Sequence, residues 1–137
     1  MTDARMGKLA AIEPETVTVY ELVGGQPFFD ALVDRFYDNV EADAALRALY
    51  PDDLEPGKRA LALFLGQYWG GPTTYSDEKG HPRLRMRHAP FRVDEPARAA
   101  WLRCMLDAVE VSDAPEVAKD AFREYFAMAS TAMINTA

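Results

Sequence analysis

The sequence is poor in cysteine and histidine, and it lacks the motifs of the common enzyme families. Its 137 residues include one cysteine, Cys104, so a single chain cannot form an internal disulfide or a multi-thiolate metal site. With only His81 and His88, a multi-histidine zinc site would need carboxylate ligands, and no suitably spaced acid pair is present. The signatures of nucleotide-binding loops, zinc proteases, serine hydrolases and c-type haem attachment are also missing. No local sequence signature therefore indicates a Ser–His–Asp enzyme.

Long apolar runs and an excess of positive charge are missing as well. No stretch approaches the roughly 20 apolar residues of a membrane span, and the first 15 residues lack the apolar core of a signal peptide. Fifteen basic residues against 22 acidic ones give a net charge of −7, which argues against nucleic-acid or anionic-membrane binding. With 49% apolar residues, the chain is expected to form one folded domain, and we expect it to be cytoplasmic.

Apolar residues recur at helical spacing along most of the chain, which predicts an all-α fold. We expect a helix opened by Pro27, a short piece that Pro51 ends, and a helix from about Pro56 to Tyr68. Two further helices follow Asp94 and Pro115. Residues 16–23 are ambiguous between strand and helix, and residues 70–83 are predicted to be loop because they are dense in turn formers. Residues 1–17 are interpreted as a flexible extension and 18–137 as the domain.

Basic residues cluster in the loop and in the segment after it. Lys79, Arg83, Arg85, Arg87 and Arg92 lie within 14 residues, and no acid separates Lys79 from Val93. Such a local excess of positive charge in an acidic protein indicates a small anionic partner held at one place. The alternative is a solvated loop that pairs with acids elsewhere in the chain.

Polar aromatic residues and one histidine indicate which anionic ligand the basic cluster could hold. Tyr37, Tyr50 and Trp101 fall on or beside apolar helical faces, where a hydroxyl or indole N–H needs a partner. His88 lies in the sequence LRMRHAPF, among the arginines, and could be either structural or a ligand. One candidate axial histidine, inward polar aromatics and adjacent cations suit haem b, an apolar iron cofactor with two anionic propionates.

Six segments in order resemble the group II truncated haemoglobins, particularly those of actinobacteria. They are YELVGG (20–25), DRFY (34–37), Leu49-Tyr50-Pro51, QYWGGP (67–72), GHPRLRMRHAPF (80–91) and AWLRCM (100–105). The resemblance covers about residues 19–135. It implies a two-over-two helical sandwich around haem, in which loop replaces most of the proximal helix.

The resemblance also implies roles for individual residues. His88 matches the proximal iron ligand, and Tyr75 matches a tyrosine on the propionate side. Tyr37, Tyr50 and Trp101 match the distal aromatic residues. Hydrogen bonds to a bound ligand must then come from these three side chains. The helix expected to cover the haem offers Gly57, Leu61 and Phe64, none of which has a side-chain donor.

Further haem contacts are expected from both charged and apolar residues. The family often has a basic residue just before the position of Leu61, but Ala60 stands there in this chain. Arg85 or Arg87 could substitute for it at a propionate. The expected apolar contacts come from Leu61, Phe64, Phe91 and Met105.

Three functions remain open at this point. The first is a haem protein that binds dioxygen tightly and uses it in redox chemistry, such as nitric oxide dioxygenation or peroxidase-type turnover, with electrons from an unidentified reductase. The second is a carrier or sensor of dioxygen or other diatomic ligands without turnover. The third is a haem-free helical interaction module. A homo-oligomer is compatible with each of them.

Overall fold

The computed structural model describes residues 17–136, which form helices and connecting turns and contain no strand. The predicted all-α fold is confirmed. Residues 1–16 of the predicted extension, together with Ala137, lie outside the described residues. The eight helices are α1 (Val19–Leu22), α2 (Gln26–Glu41), α3 (Ala44–Arg47), α4 (Glu55–Tyr68), α5 (Thr74–Lys79), α6 (Leu84–His88), α7 (Glu95–Val111) and α8 (Glu116–Ala132).

The four long helices form two packed pairs. Helix α2 packs against α4, α7 packs against α8, and the contact between α2 and α7 joins the two pairs. The centre is aromatic: Phe29 and Phe122 are fully buried and meet edge-on with ring centroids 6.0 Å apart. None of the described helices is long and apolar enough to cross a membrane. The arrangement is the predicted two-over-two sandwich.

Local signals in the sequence explain where the long helices begin. Pro27, Pro56 and Pro96 each occupy the first turn of a helix, where their fixed φ is suitable and their missing N–H is not needed. Gly25 precedes α2 with a φ of 84°, in the left-handed region that favours glycine. Asp94 caps α7, since its carboxylate accepts a hydrogen bond from the Ala97 N–H at 3.0 Å.

Two predictions of local structure need correction or completion. Residues 70–83 are not all loop, because α5 occupies their centre. Tertiary contacts stabilise this helix: the Gln67 side chain donates to Ser76 Oγ at 2.7 Å and accepts from the Ser76 N–H at 3.0 Å. Tyr75 is buried and meets Phe64 edge-on at 5.6 Å. The ambiguous segment 16–23 contains helix α1, which a reciprocal capping box between Thr18 and Glu21 begins.

The Asp94 cap yields a prediction about α7. Replacing Asp94 with Ala should lower the thermal unfolding midpoint by several degrees near neutral pH, because the first turn loses an acceptor. The Ala97 N–H, followed by Arg92, holds the pKa of the Asp94 carboxyl below its ordinary value. A depressed folded-state pKa means that this stabilisation is present above the ordinary carboxyl pKa and is lost as the pH falls through the depressed value.

The measurement is circular dichroism during heating at several pH values. The control is Asp38→Ala, which removes the same charge from an exposed position inside α2 and should cost nothing. The gap between wild type and Asp94→Ala should narrow only below the ordinary carboxyl pKa of 3.8, as the pH falls through the depressed folded-state value. Equal midpoints for the two variants at neutral pH would show that the cap is unimportant.

Candidate functional site

A largely apolar cavity of about 360 Å³ lies between α4 on one side and α6, α7 and α8 on the others. Its size is within the range of small-molecule and cofactor sites. Helix α4 supplies a wall without any hydrogen-bond donor, made of Gly57, Ala60, Leu61, Phe64 and Leu65. The polar and aromatic side chains on the other walls include Tyr50, Tyr75, Arg87, His88, Phe91, Arg92, Arg98 and Trp101.

His88 stands at the last position of α6, on the cavity wall, and one hydrogen bond fixes its ring. Its Nδ1 lies 2.8 Å from the carbonyl oxygen of Leu84, one helical turn earlier. A carbonyl can only accept, so Nδ1 carries the proton and donates. The neutral ring then has its lone pair on Nε2, which is the atom available to a metal.

Two side chains hold the segment around His88 in place. The Arg87 guanidinium donates to three backbone carbonyls, those of Lys79, His81 and Pro82, and so ties α6 to the chain before it. From the other end of the chain, Asn135 donates to the carbonyl of His88 at 3.2 Å and to that of Phe91 at 2.9 Å.

Sequence reasoning missed the role of Asn135. The residue also accepts from the Val93 N–H at 2.9 Å, so a single side chain closes the turn that follows His88. No periodic pattern marks a polar residue after the last helix, and its partners lie more than 40 positions away in the sequence.

The cavity that His88 lines also has two aromatic donors on its wall, and a third packs behind one of them. Tyr50 and Trp101 line the cavity, whereas Tyr37 does not. Tyr37 is buried on α2 and meets the ring of Tyr50 edge-on at 5.7 Å. Phe36 and Phe126 hold the Trp101 ring, with centroid distances of 5.2 and 5.9 Å.

Burial keeps these phenols protonated. It raises the pKa of Tyr37 to about 12. The pKa of Tyr50 is also raised, first by burial and then by the neighbouring Tyr37, while a hydrogen bond with Trp101 partly offsets the rise. Both hydroxyls therefore remain donors at any physiological pH.

Cations occur at the rim of the cavity, although not all of those expected. Arg87 lines it and lies 5.9 Å from the centre of the buried Tyr75 ring, but its guanidinium already serves three carbonyls. Arg85 does not line the cavity. Arg92, which belongs to the basic cluster of the sequence, and Arg98, which lies on α7 outside that cluster, both line it.

Most, but not all, of the expected apolar contacts line the cavity. Leu61, Phe64 and Phe91 line the cavity, whereas Met105 does not. Met105 is fully buried one turn beyond Trp101, where α7 packs against α2 and α8, so its side chain belongs to the core.

The geometry suits a flat apolar cofactor that brings its own metal. Among the described residues, no group of three or more His, Cys, Asp or Glu could hold a bare ion. A metal here would therefore need most of its ligands from a macrocycle, and the oriented imidazole of His88 offers one more. Helices around an apolar cavity, with an imidazole on one wall and cations at the rim, define a haem protein of the globin class.

Comparisons with known proteins agree with this class. The family model described as bacterial-like globin matches residues 18–135, so the chain belongs to that family, whose members bind haem. Group 2 truncated haemoglobin YjbI of Bacillus subtilis is 43% identical over 91 residues, which are 66% of this chain and 68% of that protein.

Solved structures show the same relationship in three dimensions. A haemoglobin from Chloroflexus aurantiacus is 53% identical with a TM-score of 0.85, covering 87% of this chain and 98% of its own. The group II two-on-two haemoglobin of Agrobacterium tumefaciens is 30% identical with a TM-score of 0.87, covering 92% and 100%. The predicted resemblance is confirmed. Membership implies haem-based binding of dioxygen, which decides against the haem-free helical module.

The close approach of α2 to α4 gives a second prediction. A Cβ on Gly57 would lie 2.8 Å from the Tyr37 hydroxyl oxygen, and its next neighbour is a ring carbon at 3.8 Å. Gly57→Ala should therefore be destabilising in the wild type, by about 1–3 kcal/mol of overpacking. In a Tyr37→Phe background the obstacle is gone, and the same change should be neutral or stabilise by up to about 1 kcal/mol through helix propensity.

Guanidinium unfolding of the four proteins in this cycle measures the coupling between the two positions. The single variant Tyr37→Phe is the internal control for loss of the hydroxyl. If Gly57→Ala has the same cost in both backgrounds, Tyr37 is not held against α4 in the way described.

Proposed function

We propose that the chain binds haem through His88 and holds dioxygen tightly on the opposite side of the cavity, for use in redox chemistry. The candidate reactions are oxidation of nitric oxide to nitrate and peroxidase-type turnover. Haem supplies an iron that binds diatomic ligands and exchanges electrons. The observation that carries the proposal is that the fixed imidazole of His88 lines the same cavity as the aromatic donors Tyr50 and Trp101.

The state of the His88 ring supports its role as the ligand. An Nδ1–H that donates to a carbonyl leaves Nε2 unprotonated, and this second-shell hydrogen bond also increases the basicity of the coordinating nitrogen. Arg87 and Asn135 restrain the backbone on both sides of the ring. The imidazole is thus prepared for a metal without rearrangement of the segment.

The aromatic donors support tight retention of ligand. Dioxygen gains negative charge when it is bound, and hydrogen bonds to a charged acceptor contribute about 1.5–3 kcal/mol each. Tyr50 and Trp101 face the cavity, while Tyr37 supports Tyr50 from behind. One such bond slows ligand escape by roughly ten- to a hundredfold. A carrier must release its ligand, so these donors favour chemical use of bound dioxygen over transport.

The rim supports binding of the anionic edge of haem. Arg87, Arg92 and Arg98 line the cavity beside Tyr75, and these are the groups that would neutralise two propionates. Arg98 is held in an ion pair with Glu95 at 2.6 Å, and Arg92 in one with Asp94 at 3.3 Å. A propionate would compete with a carboxylate for each guanidinium: the Glu95–Arg98 pair has an exposed carboxylate and is weak, whereas Asp94 is half-buried and also caps α7.

The His88 assignment is tested by His88→Ala. The purified variant should contain little or no haem, because no other described histidine lines the cavity. Added imidazole should restore part of the visible spectrum by occupying the vacated position. The matched control is His81→Ala: His81 is exposed, its Nδ1 accepts from the Arg83 N–H at 3.1 Å, and its loss should leave the spectrum unchanged. Normal haem content with a five-coordinate ferrous histidine spectrum in His88→Ala would refute the assignment.

The distal donors are tested by Trp101→Phe, which keeps the ring bulk and removes the indole N–H. Oxygen release measured by stopped flow should be at least several-fold faster, consistent with loss of one charge-assisted hydrogen bond. The control is Trp69→Phe, because Trp69 is buried away from the cavity and its indole nitrogen has no partner in residues 17–136. An unchanged release rate in a well-folded Trp101→Phe would leave Trp101 with a packing role only.

A further inference from the structure

Only some of the basic residues in the segment 79–92 line the cavity. Five of the chain's 15 basic residues lie in residues 79–92, and none of its 22 acidic residues does. Arg87 is committed to backbone carbonyls, and Arg92 pairs with Asp94. Lys79, Arg83 and Arg85 are exposed and have no carboxylate within 4.0 Å among residues 17–136.

Two apolar side chains are exposed beside these three cations. Met86 is 63% exposed and Phe91 is 49% exposed, and α6 has no buried residue at all. Phe91 also lines the cavity, so it is left out, and we call the surface formed by Lys79, Arg83, Arg85 and Met86 the α6 patch. A small apolar area with charged residues around it is the usual make-up of a transient protein interface.

The α6 patch lies over the residue proposed to hold iron. Arg83 and Arg85 flank Leu84, and the Leu84 carbonyl accepts the hydrogen bond from His88 Nδ1 at 2.8 Å. A short path of one residue and one hydrogen bond therefore joins this surface to the imidazole in the cavity.

We propose that the α6 patch is the docking site for an acidic one-electron carrier protein that reduces the haem. This inference rests on the proposed function, because only redox use of dioxygen requires a supply of electrons. In the reaction the carrier loses one electron and the ferric haem iron gains it, with no atom transferred. Outside the patch the chain is strongly acidic, so an acidic carrier is repelled elsewhere and attracted here.

The test uses reduced flavodoxin, a small acidic flavoprotein, as the probe. Stopped-flow mixing with the ferric haem protein under carbon monoxide gives the rate of reduction, and an NMR titration with oxidised flavodoxin gives binding without turnover. The patch variant is Lys79→Gln with Arg83→Gln. The matched control is Arg35→Gln with Arg103→Gln, which removes the same charge from a polar cleft between α2 and α7.

At low ionic strength, the patch variant should be reduced at least fivefold more slowly and bind more weakly, whereas the control should change less than twofold. The difference should fade at about 0.3 M salt, because screening shortens the reach of surface charges. Dithionite, which needs no docking site, should reduce all three proteins equally.

Several outcomes overturn the proposal. One is an equal decrease of the reduction rate in both variants, which would reflect net charge alone. Another is the absence of salt-dependent binding of flavodoxin to the wild type. A third is self-association of the wild type that the patch variant loses without any effect on flavodoxin, since the occupant would then be a second copy of the chain. None of these readouts involves oxygen chemistry, so they are distinct from failure of the proposed function, which fast oxygen release by the wild type would reveal.

Discussion

The hydrogen bond from His88 Nδ1 to the Leu84 carbonyl is the constraint on which the site depends. It fixes the proton on one ring nitrogen and leaves the other for a metal, but only while the five residues of α6 remain a helical turn. A helix this short is not stable alone, because the free-energy cost of nucleating a helix exceeds the stabilisation from a single hydrogen-bonded turn. Because α6 has no fully buried residue and only Leu84 packs in part against the core, the hydrophobic effect does little to hold it.

Polar contacts from other segments of the chain hold α6 in its helical conformation. Arg87 ties α6 to the three carbonyls that precede it, and Asn135 joins it to the end of the chain. Beneath them, α5 is held by Gln67 and by burial of Tyr75. The segment that carries His88 is therefore a hydrogen-bonded assembly of short elements, whereas two of the three aromatic donors, Tyr37 and Trp101, stand on long helices. The orientation of the imidazole therefore depends on side-chain hydrogen bonds, whereas that of the donors depends mainly on packing.

The sequence predicted those parts of the structure that follow from periodicity and from local signals. The apolar stripe of α2, the prolines in the first turns and the Asp94 cap all act within a few residues, so they can be identified without knowledge of the fold. Helix α5 could not be predicted in this way, because its sequence is rich in turn formers and its stability comes from Gln67 and Phe64 on another helix.

For the site, the resemblance supplied His88, Tyr50 and Trp101, which the structure brings to one cavity. It could not show that Arg85 and Met105 would lie elsewhere. A spacing of four residues places Met105 on the same face as Trp101, yet Trp101 lines the cavity whereas Met105 is fully buried in the core. Asn135 and Arg98 were missed because their partners are set by tertiary structure alone.

In the proposed function, the distribution of charge assigns the two sides of the molecule to different tasks of one chemical cycle. Retention of dioxygen by aromatic donors and delivery of electrons are separate tasks, and they place opposite demands on the surface. The distal donors must be buried so that their hydrogen bonds are strong, which burial of Tyr37 and Tyr50 achieves. The point of electron entry must instead be exposed and charged, so that a partner finds it quickly and leaves again. A short helix with no buried residue meets that second demand, and a long buried helix could not. The weak intrinsic stability of α6 is thus the consequence of keeping the imidazole one hydrogen bond away from the solvent-facing surface of the protein.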